Sequence, residues 1–324
     1  MIDAEAFERL VEEHRPALHA HCYRLLGSVH DADDALQETL LAAWRGLDGY
    51  QGRAPFHHWL HRIATHASLR LSSRRPTRVL AHAFGPPRTV DDGLGEPLLE
   101  SVWIEPYPDA DVPHGAAGPE ARYEQRESVE LAFVAALQHL PATQRAALLL
   151  KDVLGFPSAR VADMLETTPA AVNSALQRAR ATLDQRLDAV SQQDALRSLG
   201  EPARQQLVDA FVDAWQRADI DQLVTLLTDD VRFTMPPLPA WFDGLIAVRR
   251  FFVERVFETS WRLEPVTANG QLGNVCHQSV DGGASYHVGA VNVLTVRGDR
   301  VAAINGFVGP AVRDAAPRFL AGDR

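Results

Sequence analysis

The arginine-rich segment from residue 53 to residue 78 contains the residue types that best suit contact with nucleic acid. It holds six arginines, and no acidic residue occurs between Gln51 and Val90, in a chain whose formal net charge is -10. Phe56 and Trp59 are three residues apart, so on a helix they lie on one face. Unpaired bases stack on such rings while guanidinium groups hold the phosphates. The alternative interpretation is a stripe of core side chains with a solvated arginine face.

A second polar face occurs on the helix predicted from Pro169 to Leu183. Asn, Gln and Arg side chains can each bond two atoms of a base edge in the major groove. No acidic residue occurs between Thr167 and Leu183. The residues of this face are Asn173, Ser174, Gln177, Arg178 and Arg180. We therefore expect them to contact duplex DNA.

The elements that position this second face have the spacing of a helix-turn-helix. A short helix is predicted from Ser158 to Leu165, and a turn follows it. Thr168 before Pro169 then gives a hydroxyl cap with proline in the first turn. The predicted inner stripe comprises Val172, Leu176, Ala179 and Leu183. An unrelated helical hairpin is the alternative. Upstream, helical periodicity begins at Glu120 and ends at Pro141.

The N-terminal segment from Ala6 to Trp44 is predicted to be helical, with a break at Gly27 and Ser28. Asp31 is expected to cap the helix that follows the break. The outer side of that helix is acidic and polar, with Asp33, Asp34, Gln37 and Glu38. By itself such a face is most often solvated.

Length and composition indicate two or three domains and a protein without a disulfide framework. The chain has 324 residues, and Cys22 and Cys276 are its only cysteines. The first residues are acidic and amphipathic, unlike a signal peptide, and no apolar run is long enough for a bilayer, so we expect a cytoplasmic protein. The net negative charge argues against a protein that binds DNA without a partner, because phosphate affinity depends on positive charge.

Several histidines raise the question of a metal site. His57 and His61 are four residues apart, and His19, His21 and Cys22 are close together. A zinc site needs three or four convergent ligands, and no carboxylate or thiolate cluster completes either set. We therefore predict neither a metal nor another cofactor.

Periodicity stops between Pro76 and Pro119, where prolines and glycines predict an extended linker. Within it, Trp103, Ile104 and Tyr107 form an apolar patch of the kind that docks on another surface. The sequence leaves open whether that surface belongs to this chain or to a partner.

The pattern of the last third of the chain predicts helices followed by an antiparallel sheet, which indicates an α+β cone. Helices are predicted from Ala203 to Arg217 and from Ile220 to Leu227. Alternating segments with tight turns follow them. Candidate pocket residues are Phe233, Met235, Trp241, Phe242, His287, Asn305 and Phe307. Asp213, Asp243 and His287 could serve acid–base catalysis, but no spacing assembles them, so we predict no enzyme.

The order of these segments resembles the extracytoplasmic-function (group IV) sigma factors of the sigma-70 family. DADDALQETLLAAW, GYQGR and APFHHWLHRIATHASL are similar to the family's second region. The stretch from LPATQRAALLL to ALQRARATL is similar to its fourth region. SVWIEPYPDA is similar to the WLEPYPD signature of the SigG-like subgroup, which has an extra C-terminal domain. The last third resembles the SnoaL-like superfamily.

The resemblance implies a role for each face. The acidic helix would bind core RNA polymerase through Asp33, Asp34, Gln37 and Glu38. The second region would capture and melt the minus-ten element through Arg53, Phe56, Trp59, Arg62, His66 and Arg70, and the helix-turn-helix would read the minus-thirty-five element. The family commonly has Asn where this chain has His66.

We therefore expect a multi-domain protein with two all-α domains and a C-terminal α+β SnoaL-like cone. The expected boundaries are 1–78, a linker over 79–119, then 120–188 and 203–324. The expected function is that of an alternative sigma factor whose C-terminal domain, in place of a separate anti-sigma protein, restrains it by packing or by binding a small ligand. The alternatives are a ligand-responsive helix-turn-helix regulator and, at a further remove, a SnoaL-like isomerase or cyclase.

Overall fold

The computed structural model describes residues 4–98, 102–112, 128–187 and 190–321. The chain divides into two compact units. The first unit comprises residues 1–78 and 111–188, and the second comprises residues 79–110 and 189–324. The linker predicted between two helical domains therefore belongs, for most of its length, to the unit that contains the C-terminal domain.

Four helices form the N-terminal bundle of the first unit. They are α1 (Ala4–Glu12), α2 (Arg15–Leu26), α3 (Val29–Gly46) and α4 (Phe56–Ser72). The helices α2, α3 and α4 pack on one another. Leu18, Tyr23, Ala32, Leu60 and Ala64 are fully buried between them. Small residues at positions 32 and 64 allow the helix backbones to approach closely.

The prediction that Asp31 caps α3 is wrong. The cap is Ser28, whose Oγ accepts a hydrogen bond from the backbone N–H of Asp31 at 3.1 Å. The Asp31 carboxylate instead lies buried against the guanidinium of Arg78 at 2.5 Å, with Arg75 at 3.4 Å. A buried carboxylate needs such a partner, because removal from water penalises an isolated charge. The pair fixes the end of the arginine-rich segment on the bundle.

The helix-turn-helix domain of the first unit contains α5 (Leu131–Gln138), α6 (Ala142–Leu148), α7 (Ser158–Met164) and α8 (Pro169–Asp184). A π-helical turn, Leu149–Val153, extends α6. Thr168 caps α8 by accepting from Ala171 N–H at 3.2 Å, as predicted. The inner stripe of α8 is buried, also as predicted. The predicted start at Glu120 lies outside the described residues.

The second unit is an α+β fold, which confirms the predicted class. Its helices are α9 (Gln192–Leu199), α10 (Glu201–Gln216), α11 (Ile220–Thr225), α12 (Leu245–Glu254) and α13 (Pro310–Leu320). Its strands are β1 (Leu227–Thr234), β2 (Trp241–Asp243), β3 (Ser260–Ala268), β4 (Gln271–Ser279), β5 (His287–Arg297) and β6 (Arg300–Val308).

The six strands form one sheet in the order β2-β1-β6-β5-β4-β3. Strands β1 and β6 are parallel, and the other neighbours are antiparallel. A core rich in aromatic rings joins the sheet to α10 and α12, with Phe211, Trp215, Phe233 and Phe252 among its members. The hydrophobic contacts of these rings hold the layers together.

The proline-rich segment packs on the second unit, which answers the question that the sequence left open. Trp103, Ile104 and Tyr107 are all buried. Trp103 Nε1 donates to Pro237 O at 3.0 Å, and Tyr107 N–H donates to Asn269 Oδ1 at 2.8 Å. The segment is thus a component of the α+β unit, although it contains no long helix or strand among its described residues.

Truncation of Tyr107 tests this packing. We expect Tyr107→Ala to lower the free energy of unfolding of the second unit by about 3–5 kcal/mol, the usual range for removal of a fully buried aromatic ring. Calorimetric melting of the full chain measures it. Phe84→Ala is the matched control, because that ring is 49% exposed and only touches Trp103 at its edge. Equal melting temperatures for the two variants would contradict this packing of Tyr107.

Candidate nucleic-acid interface

A cluster of three rings lies at the start of α4. Phe56 and Trp59 are half-buried, with their ring centroids 5.5 Å apart. Tyr50 packs on both, at 5.5 and 5.1 Å, and its hydroxyl donates to Ala54 O at 2.5 Å. Sequence reasoning missed Tyr50, although an aromatic residue in the GYQGR loop was a usable signal. The rings are neither a closed core stripe nor fully exposed, so part of each faces solvent.

Three basic residues continue along α4 at intervals of four, and each has a partner. Arg62 donates from Nη2 to Glu166 Oε1 at 2.9 Å. His66 Nε2 lies 2.8 Å from the carbonyl oxygen of Met164, so this nitrogen carries the proton and donates. Arg70 donates to Glu38 at 2.6 Å. Arg53, in the loop before α4, is exposed.

The partners of Arg62 and His66 belong to the helix-turn-helix domain. Met164 ends α7, and Glu166 lies in the turn before α8. The turn therefore covers part of the α4 face that the sequence assigned to promoter DNA. We call this packing of the helix-turn-helix domain on the N-terminal bundle the closed arrangement.

Buried hydrogen bonds hold the closed arrangement at a second place. The Arg24 guanidinium donates to the carbonyl and the hydroxyl of Ser128, at 3.1 and 2.6 Å. Arg145 donates to the carbonyl of Leu25 and to the side chain of Gln138. Because Leu25 is in the last turn of α2, Arg145 satisfies a carbonyl that the helix itself leaves without a partner.

Histidines of the bundle surround one phenylalanine of the helix-turn-helix domain. The ring of Phe156 lies 4.6 Å from that of His58, 5.8 Å from that of His61 and 6.5 Å from that of His57. Burial lowers the pKa of His61 to about 4. Burial, together with a neighbouring histidine, also lowers the pKa of His57 and of His58. The neutral form of these rings is the one that suits the contact with Phe156.

The histidines do not form a metal centre in the part of the chain that the structure describes, where no group of three or more His, Cys, Asp or Glu side chains could hold an ion. His61 Nδ1 is bonded to the carbonyl of His57 at 2.8 Å, and His21 Nε2 lies 2.9 Å from Thr65 Oγ1.

The outer face of α8 is accessible for most of its predicted DNA-contacting residues. Asn173, Ser174, Gln177 and Arg178 are exposed. Arg180 is exposed too, but its Nε and Nη2 donate to both carboxylate oxygens of Asp152, at 2.9 and 2.7 Å. Four of the five side chains thus point to solvent, and the fifth has an exchangeable surface partner.

The acidic face of α3 is also exposed, as its sequence suggested. Asp33, Asp34, Gln37 and Glu38 all reach solvent. Further along α3, Leu41 and Trp44 are 50% and 43% exposed, a feature that sequence reasoning missed. A groove of about 380 Å³ between α1 and α3 includes both side chains. The face therefore combines carboxylates with apolar surface, a mixture that suits protein docking.

The candidate pocket of the α+β unit is mostly filled. Phe233, Met235, Trp241, Phe242, Asn305 and Phe307 are buried, whereas His287 is exposed at the first position of β5. Phe251 packs on the rings of Phe233 and Phe242, at 5.3 and 4.2 Å. Trp241 Nε1 donates to Gly85 O of the proline-rich segment at 2.8 Å. Of the six buried residues, only Phe233, Met235 and Phe242 belong to the aromatic core, so the structure does not bring the seven candidates together in one pocket.

The three acid–base candidates of this unit lie at its surface. Asp213 is paired with Arg217 four residues later. Asp243 is half exposed and lies 4.0 Å from Arg232. Together with the exposed His287, they lack the burial that tunes a catalytic carboxyl group. In the described residues, no helix is both long and apolar enough to span a membrane.

Comparison with protein families and known proteins bears on the whole chain. Family models match for sigma-70 region 2 over residues 10–76, for sigma-70 region 4 over residues 130–183 and for the SnoaL-like domain over residues 208–304. The first covers the N-terminal bundle, the second the helix-turn-helix domain and the third most of the α+β unit.

Similar proteins are named as sigma factors. The chain is 39% identical to the ECF RNA polymerase sigma factor SigG of Mycobacterium tuberculosis (strain ATCC 25618 / H37Rv), over 93% of this chain and 81% of that protein. It is 35% identical to SigM of the same strain, over 56% of this chain and 76% of that one. The crystal structure of the Mycobacterium tuberculosis ECF sigma factor SigJ has the same fold, with a TM-score of 0.58, 24% identity, and coverage of 95% of this chain and 97% of that one.

The histidines around Phe156 predict that acid weakens the closed arrangement. Their lowered pKa values mean that the closed form disfavours the protonated rings. The stabilisation from His58, whose ring also lies near Arg160 of the helix-turn-helix domain, is present above the ordinary pKa of 6.5 and is lost as the pH falls through the lowered pKa of this ring. We expect energy transfer between dyes on Gln51→Cys and Asp184→Cys to fall between pH 7.5 and pH 5.5.

The pH response has a matched pair of variants. His57→Gln with His58→Gln should reduce the change in energy transfer, whereas His287→Gln, an exposed histidine of the other unit, should leave it intact. The native cysteines are both buried and do not compete for the dyes. A signal independent of pH over this range would refute the prediction.

Proposed function

The chain belongs to the extracytoplasmic-function family of RNA polymerase sigma factors, which bind core polymerase and recognise promoter DNA, and on that premise we propose a role for each surface described above. The observation that carries the proposal is the face of α4, where three rings and a row of basic side chains stand on an otherwise acidic protein.

The α4 face stabilises the melted strand of the minus-ten element. Phe56 and Trp59 stack on unpaired bases, and Tyr50 supports both rings from the loop. The basic side chains of this face bind the adjacent phosphates, and they comprise Arg53, Arg62, His66 and Arg70. The stacking energy offsets part of the cost of unpairing the bases.

The exposed face of α8 reads the minus-thirty-five element as duplex. Asn173, Gln177 and Arg180 approach base edges, and Ser174 and Arg178 flank them. Arg180 exchanges Asp152 for DNA; both side chains are solvent-accessible, so this exchange costs little.

The acidic face of α3 docks on core polymerase. Asp33, Asp34, Gln37 and Glu38 supply charge and hydrogen bonds, and Leu41 and Trp44 supply apolar contact area. Since Glu38 pairs with Arg70 within the bundle, docking through Glu38 also releases a residue of the α4 face. Polymerase binding and promoter capture are coupled through this ion pair.

The α+β unit has a regulatory role and performs no catalysis. Its interior is occupied by aromatic rings, and its acid–base groups are at the surface. It holds the segment that connects the two sigma domains through buried Trp103, Ile104 and Tyr107. By binding this segment it limits how far the two domains separate, with or without a small ligand. The protein acts in the cytoplasm, where polymerase and promoters are.

Run-off transcription tests the sigma role. With core polymerase and genomic promoter fragments, the full chain should direct initiation. Phe56→Ala with Trp59→Ala should reduce the yield at least tenfold, because base–ring stacking contributes about 1–3 kcal/mol per base. Phe84→Ala, an exposed ring outside this face, is the control. Duplex binding without polymerase and without initiation would instead support a helix-turn-helix repressor.

Release of Arg62 from the helix-turn-helix domain should strengthen capture of single strands. Glu166 has φ of +54°, so Glu166→Asn removes the ion pair with a residue that tolerates this backbone conformation. An exposed pair contributes up to about 1 kcal/mol, so we expect a roughly two- to fivefold gain in affinity for a minus-ten oligonucleotide, measured by fluorescence anisotropy. Glu258→Asn, on the second unit, is the control. Unchanged or weaker binding would show that the closed arrangement does not restrain α4.

A further inference from the structure

A chamber of about 350 Å³ lies where the helix-turn-helix domain meets the N-terminal bundle. One wall comes from the bundle and its loop, with Tyr50, Arg53, Trp59 and Arg62. The opposite wall comes from α7 and includes Arg160 and Asp163. Its volume is within the range of small-molecule sites, about 300–1,000 Å³. The chamber exists only while both domains are together, because each contributes one wall.

The charged side chains of the chamber are mostly basic. Three arginines and one carboxylate, Asp163, line the chamber, and of these arginines Arg62 is already paired with Glu166 behind it. Arg160 Nε is buried without a hydrogen-bond partner among the described residues, and the nearest oxygen of Asp163 is 3.9 Å from its Nη1. A buried guanidinium nitrogen that has lost water and gained no acceptor is destabilising by itself. An anion beside Arg160 would supply an acceptor for this nitrogen.

Aromatic surface lies beside this positive charge. Trp59 and Tyr50 line the chamber with their ring centroids 5.1 Å apart. Arginine and aromatic side chains together suit a ligand that has both phosphate groups and a planar base, because guanidinium groups bind phosphate in a fixed geometry and indole stacks on any base.

We infer that the chamber binds a free nucleoside di- or triphosphate. Its base packs on Trp59, and its phosphates lie between Arg53 and Arg160. A ligand held by both walls binds the closed form and not the separated one, so it shifts the population toward the closed form. The inference rests on the closed arrangement proposed above and adds a small-molecule signal that favours it.

The free nucleotide and the promoter strand exclude each other. The proposed promoter role of α4 requires the helix-turn-helix domain to leave Arg62 and His66, whereas the nucleotide needs Arg160 of that domain in place. Nucleotide binding should therefore weaken binding of a minus-ten oligonucleotide, and Arg160 separates the two ligands because it belongs to the nucleotide site alone.

Calorimetric titration of the full chain with GTP, GDP and guanosine tests the inference. We expect binding of GTP and GDP, and weaker binding of guanosine because it lacks phosphate. Arg160→Ala should weaken the affinity for GTP about tenfold or more, the loss expected for charge-assisted hydrogen bonds. Arg160→Lys should retain part of the affinity. Arg186→Ala, an exposed arginine at the end of the domain, should change nothing. Circular dichroism melting checks that each variant folds.

The results separate this site from the sigma role. Failure to bind GTP at millimolar concentration would overturn the inference, and so would a GTP affinity that Arg160→Ala leaves unchanged, since that would place the nucleotide in the bundle alone. Equal binding of guanosine would overturn the phosphate contacts. Promoter opening by the full chain and core polymerase, measured without nucleotides, depends on none of these outcomes, so failure to open promoters would refute the sigma role and leave the nucleotide site to be judged by calorimetry.

Discussion

The contact between α4 and the turn of the helix-turn-helix domain is the interaction on which the organisation of the first unit depends. The ion pair of Arg62 with Glu166 and the hydrogen bond of His66 to Met164 O place two side chains that we propose to contact DNA against the other domain. The side chains of Arg62 and His66 are donors that could equally well bind DNA phosphates. The chain therefore satisfies these proposed phosphate-binding groups internally, and in this proposal its net negative charge does not prevent local DNA binding once the domains separate.

The sequence predicted the local structure of this unit well, because helix periodicity and capping depend on near neighbours. The buried stripe of α8 and the Thr168 cap followed from spacing alone. Asp31 was misassigned as a cap because its partner Arg78 is 47 residues away. Arg62 and Glu166 are 104 residues apart, and no periodicity connects such positions. The candidate faces were thus visible in the sequence, whereas the covering of the α4 face by the helix-turn-helix domain was not.

In the second unit, too, the contacts between distant residues could not be predicted from the sequence. Its α+β class followed from helices followed by alternating segments, and the family match agrees. The fate of the apolar patch at Trp103 did not follow, since burial depends on a surface that only the fold creates. His287 was predicted to line a pocket on the basis of its residue type, but at the first position of β5 its side chain is exposed. Residue type identified possible chemistry, and only the tertiary structure decided which residues could meet.

The hydrogen bond from Trp103 to Pro237 joins positions 134 residues apart, and it sets an order of events during translation. At about 5–20 residues per second, the ribosome delivers Pro237 roughly 7–27 s after Trp103. Both sigma domains are complete within that interval, while the segment between them has no surface to pack on. Each newly made molecule therefore passes through a period in which its DNA-binding parts exist and the unit that holds their connection does not. Whether polymerase or the last domain reaches that segment first is a question of timing at the ribosome.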